Sequence, residues 1–396
     1  MSFTYAALDP ENGALLEALA EAYAHAFNAP REGVVERYRD LGAEAVRVVR
    51  DASGALVAGA VLIPMGQHFL GARVPILGVA GVLVPPQARG RGVARFLMTE
   101  ILGEARADAR PLVTLYASTV PLYRSVGFER AGGRWQLTCR MRDLPHARSA
   151  CDVRPITPED EATVNELRTA RARGLHGSLD WGPYMWSRVR TPRTGTAHGF
   201  LIVRRSDGEA LGHAYLRFPA PLTYERVHLE DWSATTPEAF ATLLSLVGSH
   251  STVTEELVAP CAPDDPLLLS LPDRHYAFTC EEHWLLRLSD VPKALEARRW
   301  PAGVRATVSL EVSDDACGDN QGIWTLAVAD GGATVERTER ADVAVRLDVR
   351  ALAALYAGHA TPRSLALSGA LHADDAASDL LTELFASPAP AMLQRF

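Results

Sequence analysis

Cysteine is scarce in this chain. The five residues (Cys139, Cys151, Cys261, Cys280, Cys317) are odd in number, scattered and without a CxxC pair. That excludes a disulfide framework and a thiolate zinc site, and leaves reduced, mostly buried thiols as the expectation. The histidines, among them His25, His68, His176, His213 and His228, show neither HxxxH nor HExxH spacing, so no metal is expected. No apolar run approaches the roughly 20 residues of a membrane span, and the start "MSFTYAALDPENG" lacks a basic-then-apolar leader pattern. A cytoplasmic protein with no membrane partner is therefore expected. Basic surplus is missing as well: the formal charge is -8, which argues against nucleic acid, whose phosphates need a basic face. Cationic small molecules fit that balance better.

A hydrophobic content of 47% with 22% charged residues is that of a globular protein. At 396 residues the chain exceeds one ordinary core, so two or three domains are expected. The first part alternates helix and strand. Leu15, Leu16, Leu19, Tyr23 and Phe27 have helical spacing, and "AVRVVRD" with "ALVAGAVLIPMGQHFLG" reads as a hairpin. The strand "RVPILGVAGVLV", a loop, a helix to about Ala107, a buried strand "PLVTLYAS", a short helix closed near Gly127 and a strand "WQLTCRM" follow. After the polar stretch "RDLPHARSACDVRP" the order begins again: a strand "CDVRPI", a helix over 158–173, a hairpin turning at Asp207-Gly208, the strand "ERVHLEDWSA" and the helix "TPEAFATLLSLVGSH". This second copy lacks a glycine-arginine loop between strand and helix. A third, β-rich unit ending in short helices completes the chain. The fold class is α/β (α+β), with divisions at 1–148, 149–285 and 286–396.

The loop of the first copy, within "VLVPPQARGRGVARFLM", is the most informative stretch. Gln87-Ala88-Arg89-Gly90-Arg91-Gly92 places two glycines where the chain leaves a strand and enters a helix. Successive N–H groups at a helix start form an anion site, and a pyrophosphate is the natural guest. Neither the Walker ending nor the GxGxxG spacing is present.

The pattern Q/R-x-x-G-x-G/A resembles the signature of the GCN5-related N-acetyltransferases. The segment "LYASTVPLYRSVGF", the stretch "LRLSDVPKALEARRW…LEVSD" and the terminal phenylalanine resemble, more narrowly, the enhanced-intracellular-survival (Eis) acetyltransferases. The resemblance covers the whole chain and implies two tandem acetyltransferase-like domains, the second without cofactor, and a C-terminal domain similar to sterol carrier proteins. It implies acetyl-CoA as co-substrate, with Arg89, Gly90, Arg91, Gly92, Val93 and Ala94 around its pyrophosphate, Val82, Leu83 and Val84 along its pantetheine arm, and Ser118 in the cofactor set. It also implies a homo-hexamer.

On composition alone Tyr123 reads as a packed amphipathic residue; its place in "LYRSVGF" makes it the expected acid for the departing thiolate. The resemblance assigns the base to the α-carboxylate of Phe396, ionised at neutral pH, where the bland alternative is a frayed tail. Backbone N–H groups near Val82 would polarise the thioester carbonyl. His25, Asn28, Tyr38, Glu281 and Glu282 are candidates for the pocket of a small-molecule amine, together with Arg395, which stands where aminoglycoside-accepting members carry an acidic residue. A cation there repels polycations, so a smaller or less cationic primary amine is expected. Two other functions remain open from the residues: non-catalytic acyl-CoA binding, and lipid or small-molecule carriage by the third unit. Trp181 and Trp186 are expected to pack, and "RGLHGSLDWG" to line a pocket.

Overall fold

The computed structural model describes residues 2–28, 30–42, 45–145, 151–192, 194–219, 225–272, 275–339 and 343–396. The first unit runs β1 (Phe3–Ala7), α1 (Gly13–Phe27), α2 (Val34–Leu41), β2 (Val46–Asp51), β3 (Leu56–Phe69), β4 (Ala72–Leu83), α3 (Val93–Ala107), β5 (Leu112–Tyr116), α4 (Val120–Arg124) and β6 (Glu129–Arg140). Local chemistry sets these limits. The Asn12 side chain accepts from the Leu15 N–H to start α1, and Asn28 ends it in the left-handed region, which asparagine tolerates. In α3, Leu97, Met98, Ile101, Leu102 and Ala105 are buried at helical spacing; each large side chain contributes roughly 1.5–3 kcal/mol.

The second unit repeats the order with β7 (Cys151–Pro155), α5 (Glu161–Gly174), β8 (Leu179–Asp180), α6 (Pro183–Arg190), β9 (Thr196–Arg204), β10 (Ala210–Phe218), β11 (Arg226–Ala234), α7 (Pro237–Gly248), β12 (Glu256–Pro260), α8 (Pro266–Leu269) and β13 (Tyr276–Leu288). Among the described residues the two units share one sheet in the order β1-β2-β3-β4-β5-β13-β6-β12-β11-β10-β9-β7, with β8 added beside β3. They also exchange strands. β13, the last strand of the second unit, lies between β5 and β6 of the first, and β6 in turn pairs with β12. β13 passes through the division expected at 285/286, because Trp284 to Leu288 continue one buried strand against β5.

The third unit consists of α9 (Val291–Ala297), β14 (Ala306–Ser313), β15 (Gly322–Ala329), β16 (Gly332–Thr338), β17 (Val345–Asp348), α10 (Val349–Tyr356), α11 (Pro362–Leu367), β18 (Leu371–Ala373) and α12 (Asp375–Leu384). Its sheet has the order β16-β15-β14-β17-β18. Core residues run without interruption from the first unit into the third. Arg287 of β13 is buried and reaches Asp314 at 2.6 Å while donating to the Val126 carbonyl at 2.9 Å, which pins the two units at a polar point.

Beyond α12 the chain returns to the large sheet. Gly133 N–H donates to the Pro390 carbonyl at 3.2 Å, and Met392 N–H donates to the Gly133 carbonyl at 3.1 Å, so the tail meets β6 in a single parallel bridge. β6 begins at Glu129, earlier than the strand expected over "WQLTCRM", because Glu129 to Gly133 pair with Leu286 to His283 of β13. Gly132 and Gly133 belong to the strand because a backbone approaches it closely there. A Cβ on Gly132 would stand 2.5 Å from the Pro390 carbonyl oxygen. His176 completes the anchorage: its carbonyl accepts from Ala391 N–H, Nδ1 accepts from Leu70 N–H, and Nε2 lies 3.0 Å from the Ala357 carbonyl. "RGLHGSLDWG" is thus a clasp between units, with His176 and Ser178 buried, while Gly174 and Leu175 near its start line a pocket of about 720 Å³, as its composition led one to expect. Cys139, Cys151 and Cys261 are buried, Cys280 and Cys317 half-buried, and none of the five is in a disulfide.

Candidate active site

β4 pairs in parallel with β5 only from Ile76 to Gly78, opposite Leu112 to Thr114, and then runs on alone along that side to Leu83. Its pairing with β3 shifts register between Ala80 and Leu83, where Gly81 has a φ of 58°. Such a bulge bends the strand away from its neighbour, and the backbone groups facing the gap are left without a ladder. The gap holds a small cavity of about 70 Å³. Val79 to Val82 form one wall, Tyr116, Ser118 and Tyr123 a second, and Phe27, Arg395 and Phe396 close it. It has room for reacting groups and not for the body of a substrate.

The glycine-arginine loop lies beyond the end of β4. Gly90 and Gly92 have φ of 74° and 78°, which side-chain-bearing residues rarely adopt, and a Cβ on either would meet open space. Gly92 caps α3 without a side-chain bond, and no acid occupies the first turn. The N–H groups of Arg91 to Arg95 find no acceptor among the described residues. Consecutive free donors at the positive end of a four-turn helix fit an anion such as a pyrophosphate. The loop's side chains are otherwise occupied: Arg89 donates to the Val84 carbonyl at 3.3 Å, and Arg91 reaches Asp51 at 3.5 Å. Val93 and Leu83 point into the core, so what they offer a ligand is backbone; Ala94 is half-buried.

Tyr123 stands in α4 with its ring edge-on to Phe128, and its hydroxyl makes no hydrogen bond to the described residues. Burial alone pushes its pKa up to about 12, so the phenol is neutral across the physiological range. Tyr116, at the end of β5, is held far above the usual range by desolvation; its hydroxyl is 3.3 Å from the Met392 carbonyl and 3.4 Å from that of Gln394. Phe396 is 8% exposed, its ring 5.8 Å from that of Tyr116. A Cβ on Gly78 would touch that ring at 3.0 Å. Arg395 lies over the Tyr116 ring and pairs with Glu282 at 3.5 Å.

The remaining pocket candidates are not on the cavity wall. His25 is exposed on the last turn of α1, Asn28 is its exposed cap, and Tyr38 is buried in the core edge-on to Tyr23. Glu281 is exposed and accepts from Thr279. Phe27, Tyr116 and the Val79–Gly81 stretch also line the cavity; from the sequence they read only as parts of a helix and of strands.

Comparison with known proteins decides what carries this architecture. Models described as acetyltransferase (GNAT) domain match residues 12–131 and 177–288, and one described as sterol carrier protein domain matches 291–393. An uncharacterized N-acetyltransferase of Streptomyces griseus subsp. griseus is 32% identical over 74% of this chain and 75% of its own length; one from Streptomyces avermitilis is 30% identical over 76% and 75%. The chain belongs to the GNAT acetyltransferases. A GCN5-related N-acetyltransferase from Anabaena variabilis superposes with a TM-score of 0.92 at 29% identity over the full length of both chains. One from Kribbella flavida gives 0.87 at 26%, covering 100% of this chain and 98% of its own. Eis1 from Mycobacterium abscessus shares the fold over both full lengths, with a TM-score of 0.78 at 21% identity.

The two GNAT domains differ where an anion would bind. At the corresponding point of the second, the Thr236 side chain takes the Ala239 N–H and Pro237 occupies the first turn. The start of α7 is therefore closed by its own residues, whereas that of α3 is open. The second domain also holds a linked set of Ser233, His213 and Asp231, with bonds of 2.7 and 2.8 Å. All three are at most 1% exposed, and Asp231 is already 3.3 Å from Arg168. The set braces β10 against β11. Trp181 and Trp186 pack edge-on to each other beside it. Among the described residues no helix is long and apolar enough to cross a membrane.

Proposed function

We propose that this N-acetyltransferase moves the acetyl group of acetyl-CoA directly to a primary amine of a small molecule, in the manner of the Eis acetyltransferases. The observation that carries the reading is the meeting of four elements at one cavity: the splayed end of β4, the unbonded Tyr123 hydroxyl, the Phe396 terminus and, beyond them, the open start of α3. The pyrophosphate rests on the N–H groups from Arg91 to Ala94, and the thioester follows β4 to Val82. Donors freed by the bulge polarise its carbonyl. The amine nitrogen bonds to the carbonyl carbon and gives its proton to the Phe396 carboxylate. The carbon–sulfur bond breaks, and Tyr123 donates a proton to the sulfur. Burial holds the Tyr123 phenol up at about 12, so it acts as a hydrogen-bond donor that completes transfer only as negative charge develops on sulfur.

Arg395 neutralises Glu282 beside the cavity, which supports an acceptor less cationic than an aminoglycoside. Carriage by the third unit is the weaker reading: Arg298 fills its interior, its guanidinium 4.6 Å from the Trp300 ring centroid, 5.0 Å from Tyr356 and 5.3 Å from Phe385. A hexamer belongs to the proposal and is read by light scattering. The chemical test is acetyl-CoA-dependent thiol release with aminoglycosides, polyamines, aromatic amines and lysine peptides, on the intact chain and on one lacking Phe396. Release that depends on Phe396 is expected; acetyl-CoA binding without release on any amine would overturn transfer in favour of a binding protein.

A further inference from the structure

The 70 Å³ cavity cannot seat an acceptor's body, so that body must lie next to it. A groove of about 1010 Å³ opens between α2 and α6. It adjoins the tail: Gln394 Nε2 lies 3.4 Å from the Glu230 carbonyl, and Glu230 lines the groove. Gln394 is two residues from Phe396, a reach of at most about 7 Å. Groove and cavity are therefore neighbours.

Charge in the groove is distributed unevenly. Arg217 and Glu230 pair with each other and cancel. Glu36 stands exposed at the rim, where water screens it. Arg188 is half-buried, lies along the Tyr184 ring and donates to the Tyr184 hydroxyl at 3.4 Å. Its helical neighbour Arg190 pairs with Glu161, but no carboxylate of the described residues lies within ion-pair reach of Arg188. A guanidinium in that setting favours a planar anion. At the opposite end, Glu282 is spent on Arg395, which leaves the cavity wall, among the described residues, no carboxylate beyond that of Phe396 for a second ammonium.

We infer that the groove takes the body of the acceptor and that the acceptor is amphoteric: one amine directed at the Phe396 end, joined to a carboxylate that pairs with Arg188. The inference rests on the acetyl-transfer reading and narrows its substrate class. Three acceptors of one shape test it: 4-(aminomethyl)benzoate, its methyl ester, and p-xylylenediamine, which carry an anion, a neutral group and a second cation at the same place. With acetyl-CoA, kcat/KM is expected to fall by about tenfold or more from the carboxylate to the ester, mainly through KM, with the diamine poorest. Arg188→Gln is expected to lower the carboxylate-over-ester preference by about tenfold. No preference for the carboxylate, a preference for the diamine, or an equal loss on all three acceptors in Arg188→Gln would overturn it. Calorimetric binding of 4-(aminomethyl)benzoate, with CoA present, separates the two claims. Binding that Arg188→Gln abolishes, without thiol release, upholds the groove and sinks acetyl transfer; release from the ester and diamine alone upholds transfer and sinks the groove.

Discussion

Replacing Tyr123 by phenylalanine removes one oxygen atom and, on this structure, no internal hydrogen bond, because the hydroxyl has no partner among the described residues. Folding stability should therefore change by less than about 0.5 kcal/mol, since only a poorly solvated polar atom is lost. The barrier to acetyl transfer should change far more. A positioned acid typically contributes 10²–10⁴-fold, about 2.7–5.5 kcal/mol. The lower half of that range is expected here, because a phenol pushed up to about 12 gives its proton reluctantly to a thiolate of ordinary basicity near 8.5. Thiol release with saturating amine should thus show kcat down by about 10²–10³, KM for acetyl-CoA within about threefold, and an unchanged melting temperature. A fall of less than about fivefold in kcat would refute the acid role. A collapse in melting temperature would refute the claim that the hydroxyl is structurally idle.

Gly92→Val places a branched side chain at a φ of 78°; KM for acetyl-CoA should rise at least about tenfold while kcat at saturation falls less, and an unaltered KM would remove the loop from the binding site. Gly132→Ala sets a methyl group 2.5 Å from the Pro390 carbonyl oxygen, and overpacking of this kind costs about 1–3 kcal/mol. Faster proteolysis of the tail and lost turnover are expected, with the circular dichroism of the sheet retained. His176 is held down at about 4 by burial, with Arg298 adding to the effect. Its unfolded value is near 6.5, so protonation favours the unfolded chain; the stability it supports is present above pH 6.5 and is lost as pH falls toward 4, up to about 3 kcal/mol. Melting temperatures across that window should drop less in His176→Gln than in the parent, and equal slopes would contradict the clasp.

Much of the fold was legible because its signals are local. Strand, loop and helix around Gly90 and Gly92 follow from glycines beside an apolar run, and the Asp207-Gly208 turn announces its hairpin. Partnership was not legible. Nothing in "HWLLRL" states that β13 slips between β5 and β6, since each apolar strand would pair equally well elsewhere as far as pattern goes. Tyr38, expected in the amine pocket, shows the same limit: the sequence does not tell which neighbour a side chain meets, and Tyr38 meets Tyr23 in the core. The closest readable hint of the returning tail was Gly132-Gly133, two residues without side chains inside a strand. The route of the last residues to the cavity came only from resemblance.

The interleaving of β13 has a consequence for how the protein is made. β5 and β6 leave the ribosome early, but the strand that joins them follows about 140 to 160 residues later, roughly ten to thirty seconds at common synthesis rates. During that interval two apolar strand edges of the first half stand bare, a state that invites association with other nascent chains. The second half supplies the missing strand. Until it has been made, and the tail after it, the half-synthesised chain has every residue of the glycine-arginine loop and no closed cavity in which to use it.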